Sequence, residues 1–195
     1  MIARMTLKPV LAGLSIVLLA ACSQPAPPLP AAPPPSPAER GKYLVSAMGC
    51  NDCHTPAKMG PNGPEPDMAR MLSGHPEGMK LPPPPKPEGP WIATVAATFT
   101  AWSGPWGISY TANLTPDQNT GIGIWTEDMF VKAIREGKHM GTSRPILPPM
   151  PWPAFRNLND DDLKAIFAYL KTIPPVVNHV PDPVIVEPHS IGKAQ

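Results

Sequence analysis

Apolar residues recur at helical spacing in three stretches of the chain, and each stretch carries the end signals of a helix. The clearest is the last, where Leu163, Ile166, Phe167 and Leu170 fall at i, i+3, i+4 and i+7. Asn159 precedes it as N-cap, Asp160, Asp161 and Asp162 fill the electropositive first turn, and Leu158 is placed to staple onto Leu163. Lys171 suits the negative end of this helix, and Pro174-Pro175 forbids its continuation. The middle stretch has Thr126 as N-cap, Glu127 and Asp128 in the first turn, Trp125 and Phe130 at the staple positions, and Gly137 at its end. The first begins Ser36-Pro37-Ala38-Glu39, a capping box with proline at the first helical position, and presents Tyr43, Leu44 and Ala47 towards Cys50.

Between the first and second helices the pattern breaks down. Thr55 to Trp125 contains Pro82 to Pro85 and several Gly-Pro turns, so residues 56–112 read as a loop-rich insertion. Only Ile92 to Trp102 and Gly107 to Ala112 look extended, which predicts a short β-hairpin there. Past Pro175, a tail over 176–195 with Pro181, Pro183 and Pro188 is expected to run along the surface or fray. These elements predict an all-α domain over 37–175. Its first and third helices cross, with Tyr43 and Leu44 near Phe167 and Leu170.

The N-terminus follows a different pattern. Arg4 and Lys8 precede an apolar run from Val10 to Ala21, too short for a span of roughly 20 residues but suited to a signal peptide over 1–21. The run ends Leu19-Ala20-Ala21-Cys22, which resembles the lipobox of bacterial lipoproteins, in which the cysteine is lipidated. The expectation is a periplasmic domain anchored to a bacterial membrane through Cys22; the alternative is ordinary signal cleavage and a soluble periplasmic protein. Residues 22–36 are proline-rich and favour polyproline II, a tether on the order of 40 Å at about 3.1 Å per residue.

Composition and charge narrow the function. Proline supplies 32 of 195 residues, so much of the chain is neither helix interior nor central strand. A net charge of +1 provides no clustered basic face for nucleic acid. Three cysteines are too few for a disulfide framework, and they divide into a lone Cys22 and a pair, Cys50 and Cys53, next to His54.

Cys50-Asn51-Asp52-Cys53-His54 is the c-type haem attachment pattern. Two thiols add across the haem vinyl groups, and the adjacent histidine is thereby placed under the iron as proximal ligand. A thioredoxin-like site would place the motif at the opening of a helix after a strand, and a structural zinc site needs four ligands, whereas this chain has no second cysteine pair. A second axial ligand is sought among ten methionines, since methionine sulfur favours ferrous iron and raises the potential. Met140 and Met150 are the candidates by position, and the prolines around Met150 make a stiff strap suited to presenting one sulfur. His75, His139, His179 and His189 read as solvated surface histidines, with His139, beside Met140, the one to test as a ligand. Trp125 and Trp152 either donate to a haem propionate or pack on the haem edge, while Asn113, Arg144 and Lys138 are propionate partners by residue type alone.

Tyr43-Leu44, the Cys50–His54 motif, Asn113-Leu-Thr-Pro-Asp117, Gly121-Ile-Gly-Ile-Trp125, Met150-Pro-Trp152 and Asp161 to Leu170 together resemble class I-type bacterial cytochromes c, closest to the cytochrome domains of periplasmic alcohol dehydrogenases. The resemblance spans about Pro37 to Pro175. It implies a cytochrome c fold around one covalent haem c, with Met150 as distal ligand. It also implies an electron carrier rather than an enzyme, with a dehydrogenase as donor and a quinone, oxidase or other cytochrome as acceptor. Two other readings remain open: a haem enzyme or gas-binding sensor with a displaceable sixth ligand, and a dedicated cytochrome subunit of one dehydrogenase complex. The insertion departs from a minimal cytochrome c, and Pro61 is a weak candidate for the proline carbonyl that orients the proximal histidine in the family.

Overall fold

A computed structural model describes residues 33–87 and 89–186, and the fold below is that of the unit Pro35–Gln195. The leader 1–21, Cys22 and His189 lie outside the described residues. The described residues form five α-helices: α1 (Pro37–Ala47), α2 (Cys50–His54), α3 (Glu127–Glu136), α4 (Trp152–Phe155) and α5 (Asp160–Leu170). The three long ones begin at their predicted caps. Glu39 N–H donates to Ser36 Oγ and Ser36 N–H donates back to the Glu39 carboxylate, closing the capping box. Thr126 accepts from the Met129 amide, and Asn159 Oδ1 accepts from the Asp162 amide at 2.7 Å. Gly137, at φ 64°, ends α3. Lys171 caps the end of α5, and its Nζ donates to the Gly123 carbonyl at 2.5 Å.

Helices α1 and α5 cross as expected, and Gly41 lets them approach. A Cβ at Gly41 would lie 1.9 Å from the Ala165 carbonyl oxygen, so the two backbones touch there. Arg40 Nε donates to Asp162 Oδ1 at 2.9 Å beside the crossing. Of the predicted face only Leu44 is inward, where Gly41 and Val45 join it, with half-buried Met48 at the helix end; Tyr43 and Ala47 are not. Tyr43 is 61% exposed, with the Arg40 guanidinium over its ring, and Ala47 is exposed too. A glycine at a crossing adds nothing to an apolar pattern, which is why the pattern alone displaced the face. Leu44 and Val45 join Phe130, Ile134, Leu163 and Leu170 in one core.

The expectation of an all-α fold is overturned by two antiparallel sheets. Strands β1 (Ala57–Gly60) and β2 (Gly63–Pro66) form a hairpin, and β3 (Thr94–Val95), β4 (Ala101–Gly104), β5 (Gly107–Tyr110) and β6 (Val184–Ile185) form a sheet in that order. The β4–β5 pair is the predicted hairpin, but the sheet around it is larger than the sequence suggested. The strands are two to four residues long and several carry Gly or Pro, so no period-2 alternation develops. The tail runs along the surface as expected, with Val177 and Val184 to Val186 exposed, but it is also anchored. It adds β6 to the sheet, and Asn178 is fully buried.

Candidate functional site

Helix α1 stops at Ala47, Gly49 turns the chain at φ 68°, and the Cys-x-x-Cys-His motif forms a helix of its own. This places Cys50 and Cys53 one turn apart, both half-buried, with the buried His54 at the end of α2. Thr55 fixes that end: its hydroxyl donates to Asn51 Oδ1 at 2.9 Å and accepts from the Leu72 amide at 2.9 Å.

His54 Nδ1 donates to the Ala112 carbonyl at 2.8 Å. This tautomer leaves Nε2 with its lone pair, and Nε2 makes no hydrogen bond among the described residues. Burial holds the imidazole below the usual histidine range, and the Ala112 carbonyl opposes that shift only in part. The ring is therefore neutral at neutral pH, the form that ligates metal. The carbonyl that orients it comes from Ala112, immediately before the Asn113–Asp117 motif, and not from Pro61, which sits in the β1–β2 turn. Gly74 supports the arrangement from both sides. Its N–H donates to the His54 carbonyl at 2.8 Å, and a Cβ on it would lie 2.7 Å from the Ala112 oxygen.

The surroundings of the thiols disfavour the thiolate. Burial pushes Cys50 up to about 11, and burial followed by the Asp52 charge raises Cys53 as well. Redox cysteines in Cys-x-x-Cys sites have the opposite shift, towards an accessible thiolate. A thioether carries no charge to desolvate, so these surroundings suit attachment. Two thiols on one turn beside a neutral imidazole with one nitrogen already tied form a donor set that fits haem c.

The two candidate methionines are separated. Met150 packs half-buried against the same core as Cys50, Leu114 and Trp125. Its strap is held from the insertion by Ser109, whose Oγ donates to the Pro148 carbonyl at 2.5 Å. Met140 instead lines a surface groove of about 310 Å³ with Asp128, Met129 and Lys132.

The remaining candidates have other partners. His75 is fully buried, against the surface reading, because Thr100 Oγ1 bonds its Nδ1 at 2.9 Å and Tyr110 packs on its ring. His139 is half-buried edge-on to Trp125, and His179 is exposed as expected. Trp152 packs on the Gly137 backbone with Arg156 over its ring. Asn113 spends its amide on the Val176 carbonyl at 2.9 Å and on Thr120. Arg144 and Lys138 are exposed.

Residues 38–174 match the cytochrome c family. The chain belongs to the cytochrome c family. This cytochrome is similar to a nicotinate dehydrogenase subunit of Pseudomonas putida, at 42% identity over 143 residues, which covers 73% of this chain and 9% of the relative. It is similar to the fructose dehydrogenase cytochrome subunit of Gluconobacter japonicus, at 30% over 181 residues, or 91% of this chain and 30% of the relative. The cytochrome c subunit of the quinone alcohol dehydrogenase of Gluconobacter oxydans is 40% identical over 149 residues, 74% of this chain and 23% of its own length. The chain thus spans less than a third of the length of each of these relatives. This cytochrome carries covalently bound haem c and transfers electrons through it. When bound, the haem supplies a one-electron iron couple, and the protein contributes ligands, burial and orientation.

Ala112, Gly74, Ser109 and Asn178 were not singled out from the sequence. All four act through or against backbone carbonyls, which no residue type advertises. The only sequence cue was Ala112's place directly before the Asn113 motif.

Proposed function

We propose that this cytochrome is the electron-transfer subunit of a periplasmic dehydrogenase system, tethered to the membrane by lipid on Cys22. Its haem is attached at Cys50 and Cys53, with His54 and Met150 as the axial ligands. It takes electrons from a dehydrogenase and passes them to a quinone, an oxidase or another cytochrome. The observation that carries this reading is the His54 to Ala112 hydrogen bond, which frees Nε2 for iron, together with Met150 packing on the same core as Cys50. The names of the relatives favour a dehydrogenase as donor.

With both axial positions filled by protein, iron is low-spin and exogenous ligands are excluded. The reduced protein is expected to keep its spectrum under carbon monoxide, and Met150→Ala is expected to bind the gas. Carbon monoxide binding by the unaltered protein would replace this reading with a sensor or haem enzyme. Cys22→Ala is expected to move the haem from the membrane to the soluble periplasmic fraction; retention in the membrane would end the tether assignment. Haem reduction in native membranes, tested with one dehydrogenase substrate at a time, identifies the donor.

A further inference from the structure

Asn178 lies in the tail, 1% exposed, in a role that the electron-carrying assignment does not use. Its Nδ2 donates to the carbonyls of Ser73 at 2.7 Å and His75 at 2.9 Å. Its Oδ1 accepts from the Glu77 amide at 2.7 Å and from Arg70 at 3.1 Å. Both donor hydrogens and both lone pairs of the side-chain amide are therefore spent, on a segment more than 100 residues earlier in the chain. Ser73 and His75 bracket Gly74, the residue that donates to the His54 carbonyl and abuts the Ala112 carbonyl. The tail also holds the residue that follows Ala112, because Asn113 Nδ2 donates to the Val176 carbonyl.

We propose that Asn178 is a positioning residue for the proximal imidazole. By clamping Ser73 and His75 it presses Gly74 onto Ala112, and so fixes the carbonyl that accepts from His54 Nδ1. This rests on His54 being the proximal ligand. A fixed acceptor strengthens the imidazole as a donor to iron and favours the ferric state. Loosening the clamp weakens the bond and raises the reduction potential. It also exposes the Nδ1 proton to solvent exchange.

The test uses the full-length haem-loaded protein with Asn178→Ala, Asn178→Asp and, as a core control outside the Asn178–Gly74–Ala112 network, Leu163→Ala. Potentiometric titration reads the potential, and proton NMR of the ferric protein reads exchange of the His54 Nδ1 hydrogen. Asn178→Ala is expected to raise the reduced-to-oxidised ratio severalfold at the unaltered protein's midpoint, and to speed that exchange severalfold. Asn178→Asp keeps the acceptor but loses the donors, so it should behave like Asn178→Ala. Leu163→Ala should lose at least as much stability and move neither readout. Should either tail variant fail to fold, Thr120→Val removes the hydroxyl that accepts from the Asn178 backbone amide at 3.0 Å, and is expected to move both readouts in the same direction. The proposal is overturned if the tail variants leave both readouts at the level of Leu163→Ala, or if aspartate restores them. Absence of iron-shifted His54 ring signals in the unaltered protein would instead remove His54 as ligand, which is a separate failure.

Discussion

The side chains buried by the long helices are apolar, whereas those buried by the inserted segment and the tail are mostly polar. Leu44, Val45, Phe130, Ile134, Leu163 and Leu170 close the helical core. His75, Thr98, Thr100 and Asn178 are buried in the other region, next to Asn113 and Thr115 of the segment that follows the insertion. The two regions are therefore held by different forces and serve different ends. Apolar burial is strong but non-directional, which suits a scaffold. Hydrogen bonds contribute little net stability each, but they fix angles and are costly to leave half-made. The His54 imidazole needs one carbonyl at one angle, and the polar region supplies it through Gly74 and Ala112. The helical region positions the motif along the chain, while the polar region aims the ligand.

Substitutions in the two regions should therefore separate stability from redox behaviour. Leu163→Ala is expected to have the largest effect on stability, about 3 kcal/mol by denaturant titration, with the absorption spectrum and potential unchanged. Gly74→Ala strains a residue at φ 78° and presses on the Ala112 carbonyl. It is expected to cost about 2 kcal/mol and also to raise the potential, which Leu163→Ala does not. Thr100→Val leaves His75 Nδ1 without its hydroxyl partner and breaks the Thr98–Thr100 bond at 2.8 Å. A loss of about 1.5 kcal/mol is expected, with a smaller change in potential than for Gly74→Ala.

The smallest effect is a pH effect at the N-terminus of α1. The Ser36 hydroxyl and amide hold the Glu39 carboxyl below its ordinary value of 4.5. A folded value below the unfolded one means that this stabilisation is present above the ordinary carboxylate range and is lost as pH falls through the folded value. Glu39→Gln should slightly flatten the acid side of the stability profile and leave the haem untouched.

The same contrast explains what the sequence revealed. The caps at Ser36, Thr126 and Asn159, the stop at Gly137, and the repeat from Leu163 to Leu170 are local signals, and each stands where it was read. Cys50, Cys53 and His54 were legible because their chemistry requires fixed spacing. The inward face of α1 was misplaced because Gly41 carries no apolar signal, although it makes the closest backbone approach to α5. The sheet was underestimated because its strands are two to four residues long and β6 joins from the far end of the chain. His75 read as a surface residue and Asn178 was passed over, because a buried polar side chain can be distinguished only by its partners, and those lie 25 or more residues away in sequence.

The central claim is a single iron held between His54 and Met150 and closed to other ligands. The weak far-red charge-transfer band of a ferric iron–methionine sulfur bond tests it most directly, compared between Met150→Ala and Met140→Ala in otherwise identical preparations. The account predicts the band in the unaltered protein and in Met140→Ala, and its loss in Met150→Ala. A band that survives Met150→Ala, or disappears in Met140→Ala alone, would contradict it.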